Sequence, residues 1–210
     1  MFGIHDLGLF ITAGVLLNIT PGADFLYVLS RGVAGGFGAG VWAALGVGAG
    51  CFVHIGAAAV GLSALLASSA AAFALVKWAG AAYLAYLGLT MLLRRQAPLA
   101  MHASAAPAPG ARIFWQGFAT NVLNPKVALF FLAFMPQFIA PASHSKVYAF
   151  LVLGTIFNTT GTAWNILVAR SAAFLAPRLG RACQLGVWLN RLLGGLFVVL
   201  GARLAVAQRT

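Results

Sequence analysis

The sequence predicts an all-α integral membrane protein of about six transmembrane helices. They form two inverted three-helix repeats, with helices 1 and 4 interrupted at Pro21 and Pro125. Three observations lead there. Of 210 residues, 62% are hydrophobic and 7% charged, with a mean hydropathy of +0.96, whereas soluble domains carry about 25% charged residues. Six apolar runs, residues 7–29, 39–66, 71–93, 114–139, 147–169 and 185–207, each suit a membrane crossing, since a hydrocarbon core takes roughly 20 helical residues. The two halves also echo each other. With Pro21 set on Pro125, Leu45-Gly46 falls on Leu153-Gly154 and Tyr86-Leu87-Gly88 on Val199-Leu200-Gly201, at offsets of 104, 108 and 113 residues. Chance likeness between simple apolar segments is the competing explanation. With three spans per half, the second half enters the membrane from the opposite side.

The first run contains the stretch around which the rest is organised, Asn18-Ile19-Thr20-Pro21-Gly22-Ala23-Asp24. Pro21 removes a backbone donor and clashes with the preceding turn, and Asp24 is one of only two acids in the chain. A charge at this depth costs a few kcal/mol or more and marks a functional site. Irregular backbone survives there only if buried in protein or lining a wet cavity. Arg31 is expected in a first loop. The second run is rich in glycine, which lets helices approach closely. Residues 67–70 make a small uncharged loop before the third run. Residues 1–93 thus form the first half. A linker over 94–113, with Pro98, Pro107, Pro109 and Gly110, leads to the second half, 114–210. In that half the device recurs as Asn121-Val122-Leu123-Asn124-Pro125-Lys126. A fourth loop carries Lys146, and a fifth carries Arg170, Arg178 and Arg181.

Seven basic residues fall in loops one, three and five, against Lys77, Lys146, Arg203 and Arg209 on the other side. Basic loops stay cytoplasmic, so the linker faces the cytoplasm and both termini face out. A five-span version with one re-entrant run is the alternative. Trp78, Trp115 and Trp188 fit interfacial belts, and Arg191 fits a snorkelling or interhelical residue near the cytoplasmic end. The net charge of +11 belongs to these loops and to lipid headgroups. No basic-aromatic cluster points to nucleic acid. No cleavable signal peptide is visible, since the first residues lack a basic region.

The polar residues at depth carry the chemistry. Asp24 and Lys126 each follow their own proline. One reading makes them a buried salt bridge that holds the interrupted helices together, costly to break from one side. The other gives Asp24 a substrate ammonium group or a proton, and Lys126 a carboxylate. Low dielectric and a nearby ammonium act on the acid's proton in opposite senses. Asn18, Asn121 and Asn124 flank the breaks, where half-helix ends offer free amides and carbonyls to anions and cations. Pro21, Gly22 and Pro125 create those ends. In the fifth span Asn158, Thr159, Thr160, Thr162 and Asn165 form a polar stripe around Trp164. Asn158 and Trp164 are its candidates for the pathway, because Thr commonly bonds its own helix. His54 is a proton relay or a satisfied packing histidine.

These residues resemble the LysE/RhtB family of bacterial exporters of lysine, homoserine, threonine and related amino acids. The likeness rests on Pro21-Gly22-Ala23-Asp24, the run from Leu45-Gly46 to His54, Lys77-Trp78-Ala79-Gly80-Ala81-Ala82-Tyr83-Leu84, and the run from Gln116-Gly117-Phe118 to Asn124-Pro125-Lys126-Val127-Ala128-Leu129-Phe130-Phe131. The family commonly has Pro-Gly-Pro-Asp at the first site, where this chain has Ala23. The resemblance implies efflux of amino acids or close derivatives, homoserine lactone included, across the bacterial inner membrane. It also implies proton coupling and no cofactor. A homodimer through glycine faces stays open beside purely internal packing.

Other classes fit the residues less well. An intramembrane enzyme needs a nucleophile paired with a base, and a metal enzyme or metal-cation exporter needs more acids or histidines at depth than Asp24 and His54. A thiol-redox carrier needs two cysteines near the breaks. Cys51 and Cys183 are far apart in sequence and belong to no CxxC. A transporter of another small solute or cation remains the nearest alternative.

Overall fold

A computed structural model describes residues 2–62 and 108–175, together with Trp78, Ala82, Tyr86 and Leu89. The third and sixth expected spans, 71–93 and 185–207, lie almost wholly outside the described residues. So do Cys183, Trp188 and Arg191. Within them the chain is helical: α1 (Leu7–Ile19), α2 (Ala23–Ala57), α3 (Gly110–Val122), α4 (Pro125–Leu129) and α5 (Lys146–Leu175). One π-turn, Ala58–Leu62, follows α2. After α4 a π-turn, Phe130–Phe134, leads into a 3-10 turn, Met135–Phe138.

By length and composition, Ala23–Gly61 and Lys146–Phe174 could each cross a membrane. Gly110–Val122 and Pro125–Phe138, bent by 46°, could together make another span. α2 is not straight. Gly36 stands at φ 74, ψ −173 in its interior, a region open essentially to glycine alone. Residues eight apart on a straight helix are about 12 Å apart. Yet a Cβ built on Gly40 would stand 3.3 Å from the Gly32 Cα, and the two glycines face the same Ala169. The chain therefore doubles back at Gly36, and α2 is a hairpin of two arms. Its second arm runs back alongside the first.

The helix bounds place three features differently from the sequence expectation. Arg31 lies inside the first arm rather than in a loop. There it donates to Gln116 Oε1 at 2.7 Å and stacks over Tyr27, whose hydroxyl donates to the Ile113 carbonyl at 2.7 Å. Arg170 likewise lies within α5, and the last residues of the expected linker form the first turn of α3, after Pro109.

Two buried clusters fill the interior. The first gathers Phe10, Phe130, Phe131, Phe134, Phe138 and Phe157, with Phe130 stacked on Phe157 at 4.5 Å. At its end, residues before α1 meet residues after the 3-10 turn. The His5 N–H donates to the Phe138 carbonyl at 3.1 Å, and the Ala140 N–H donates to the Gly3 carbonyl at 2.8 Å. The second cluster joins Val28, Ala43, Val47, Ile113, Val168 and Ala169. Here Gly46 lies directly on the Phe114 backbone, with no room for a side chain, the close approach that small residues allow in membranes. Arg31, Arg112 and Arg170 flank this second cluster, so they share one end of the helices.

The Gly36 turn is open to a direct test. No atom stands within 4 Å of a Cβ placed there, so substitution changes the backbone cost alone. Gly36→Val is expected to cost roughly 1–3 kcal/mol, read as a lower thermal midpoint in detergent. An unchanged midpoint would contradict the hairpin.

Candidate functional site

The breaks form for one physical reason. The ring of a proline disfavours helical backbone in the residue before it. Thr20 (φ −61, ψ 122) and Asn124 (φ −78, ψ 107) are both extended. Each upstream helix thus ends with unpaired carbonyls, and each downstream helix starts with unpaired amides.

The two breaks close on each other. The Lys126 ammonium donates to the Leu17 and Thr20 carbonyls, both at 3.0 Å. Those carbonyls end α1, where the helix dipole favours a cation. Asp24 sits in the first turn of α2, where the dipole favours an anion. Its Oδ2 accepts from Asn121 Nδ2 at 2.8 Å and from Asn124 Nδ2 at 2.9 Å. Asn124 also caps α4, its Oδ1 accepting from the Lys126 N–H at 3.0 Å. Gly22 leaves room for the lysine, since a Cβ there would stand 3.0 Å from Lys126 Nζ.

The direct Asp24–Lys126 salt bridge weighed from sequence is absent. Among the described residues the contact between a basic and an acidic side chain is His5–Asp6, at 3.0 Å. Each central charge instead engages the opposite interrupted helix, Lys126 through backbone carbonyls freed at the break and Asp24 through asparagine side chains.

His54 lies beside this junction. Its Nε2 is 3.0 Å from the Asn121 carbonyl. A carbonyl can only accept, so that nitrogen carries the hydrogen. The ring also stacks on Phe131. His54 thus satisfies the C-terminal turn of α3.

Between the clusters lies a cavity of about 30 Å³, room for about two water molecules. Asn18, Asp24, Asn121 and Lys126 line it from the breaks. α5 adds Asn158, Gly161, Thr162 and Asn165, at the i, i+3, i+4, i+7 spacing of one helical face. Phe25, Val47 and Cys51 supply an apolar wall. Asn158 Nδ2 donates to the Gly48 carbonyl at 3.1 Å, and Asn18 Nδ2 to the Phe157 carbonyl at 3.4 Å. Asp24 Oδ1 and Asn121 Oδ1 are buried without a hydrogen-bond partner, a cost of about 1–3 kcal/mol each.

Two residues sit elsewhere than the sequence predicts. Trp164 does not line the cavity. It packs against the Val28–Ala43 cluster, and its Nε1 is buried without a partner. Six positions after Asn158, it lies off the cavity face by the helical period. Cys51, expected away from the breaks, lines the same cavity as Asp24. The cavity also takes in Gly161, Thr162 and Asn165, which the polar stripe alone does not single out. The face period running from Asn158 would have found all three. Thr160 bonds its own helix, at the Ile156 and Phe157 carbonyls.

Comparison with known proteins adds a family. The LysE type translocator model matches residues 15–208. The homoserine/homoserine lactone efflux protein of Salmonella typhimurium is 31% identical over 204 residues, covering 95% of both chains. The leucine efflux protein of Salmonella choleraesuis is 30% identical over 208 residues, covering 99% of this chain and 98% of its own. An uncharacterized membrane protein of Vibrio cholerae is 34% identical over 208 residues, covering 98% of each chain. No solved structure matches.

Proposed function

The chain belongs to the LysE type translocator family, and we propose that it exports an amino acid or a close derivative across the bacterial inner membrane by proton antiport. The observation that carries this reading is the junction of the two breaks. One carboxylate and one ammonium, each held by the opposite interrupted helix, face a shared polar cavity. A zwitterion presents one charge of each sign, so this junction is its complement. Asp24 holds the substrate ammonium group or exchanges a proton, while Lys126 and the adjoining amides attract the carboxylate. Asn18 and Asn158 fix orientation by neutral hydrogen bonds, and His54 positions Asn121.

The mechanism is alternating access by two inverted three-helix halves. The cavity is too small for an amino acid as it stands, so the halves must part to load it. Two features support the inverted repeat. Each half-helix flanking a break, in α1 and α3, is 13 residues long, which sets both breaks at similar depth. The start of α1 meets the end of the second interrupted pair, so the two run in opposite directions. The grouping of Arg31, Arg112 and Arg170 supports a cytoplasmic Gly36 turn.

Efflux from cells preloaded with labelled amino acids tests the reading. Expression is expected to release one or a few of them, and a protonophore to block the release. Retention of every amino acid and of homoserine lactone, with the protein present in the membrane, would remove the proposal. Release untouched by the protonophore would remove its proton coupling.

A further inference from the structure

The whole chain contains two acids, Asp6 and Asp24. Asp6 precedes α1, where it is exposed beside His5. The thirteen residues of α1 hold it about 20 Å from the break. No other position in the sequence carries a carboxylate side chain. Asp24 is therefore the one acidic side chain that can serve the cavity.

Its capacity is already partly used. Oδ2 accepts from two asparagines, which leaves Oδ1, buried without a partner. The helix C-termini at the breaks are the other source of negative potential, and both are engaged. Lys126 takes the Leu17 and Thr20 carbonyls at the end of α1, and His54 takes the Asn121 carbonyl at the end of α3. Among the described residues the rest of the lining is neutral, with Asn158, Thr162 and Asn165 on α5 and with Val47 and Cys51.

We infer that the cavity accepts amino acids with uncharged side chains and rejects those bearing a second ammonium group. The inference rests on the reading of the cavity as an amino-acid site. One substrate ammonium finds Asp24 Oδ1. A second is buried against amide and hydroxyl dipoles, beside the Lys126 cation, with no carboxylate to compensate it. A buried charge without a partner is strongly disfavoured, and a like charge nearby adds to the penalty. The charge count excludes the cation, whatever the length of its side chain. Cys51 and Val47 then form the wall that a neutral side chain meets.

The test uses the full-length protein in liposomes, with counterflow of paired substrates below neutral pH. Homoserine and 2,4-diaminobutyrate differ by one hydroxyl exchanged for one ammonium. Norleucine and lysine differ by one added terminal ammonium. The neutral member of at least one pair is expected to exchange about tenfold faster or more. Equal exchange within any pair that exchanges, or faster exchange of a cation than of its neutral partner, overturns the inference and leaves the amino-acid reading standing. No exchange of any of the four, with the protein shown to be reconstituted, overturns both.

Discussion

Asp24→Asn abolishes efflux while the protein still accumulates in the membrane. The two halves of this expectation have separate physical causes. In the folded chain Asp24 Oδ2 accepts from Asn121 and Asn124. An asparagine oxygen can accept the same two bonds in the same volume, and the Lys126 ammonium keeps the Leu17 and Thr20 carbonyls, so the junction keeps its shape. What disappears is the charge and the exchangeable proton. A hydrogen bond to a charged group contributes roughly 1.5–3 kcal/mol, so losing it toward a substrate ammonium slows transport by up to about a hundredfold. Loss of the proton site removes coupling as well. Efflux and membrane abundance must be measured together. A normal rate in the variant would take Asp24 out of the pathway, and a protein that fails to accumulate would make Asp24 a structural residue.

The junction was legible in the sequence where local chemistry dictates it. Proline forces its predecessor out of the helix wherever it stands, so both breaks could be read from Pro21 and Pro125 alone. Charged residues at membrane depth are few enough to single out Asp24 and Lys126. The pairing between these groups was not legible, because it depends on how the helices meet. Lys126 follows a helix N-terminus in sequence, an unfavourable place for a cation. Only the packing reveals that its ammonium reaches the C-terminus of α1. Cys51 shows the same limit. It is far from Asp24 along the chain, but the reversal at Gly36 sets the two helix arms side by side and brings both residues to one cavity. Gly36 stands among several glycines, and sequence does not say which of them takes the positive φ. Trp164 lies off the cavity for a simpler reason: the polar stripe is continuous in sequence, while a helix presents only every third or fourth residue to one side.

Lys126→Met is the complementary case, and it is expected to damage stability and transport together. Methionine keeps most of the stem but removes the ammonium. The Leu17 and Thr20 carbonyls lose their partner, and the Asp24 carboxylate loses the nearby cation. Breaking a buried charge arrangement from one side costs roughly 3–5 kcal/mol, enough to lower the thermal midpoint in detergent by several degrees. The double variant Asp24→Asn with Lys126→Met separates the charge effect from the loss of the two hydrogen bonds. With both charges gone, no uncompensated ion remains. The double variant should therefore be more stable than Lys126→Met alone, by a coupling of about 0.5–3 kcal/mol. Transport should stay absent in both. If the double variant is no more stable than the single one, Asp24 and Lys126 do not sense each other, and the junction is held by hydrogen bonds to backbone and asparagine alone. If Lys126→Met exports normally, the ammonium at the end of α1 is dispensable, and a substrate carboxylate must find its partner in the half-helix amides.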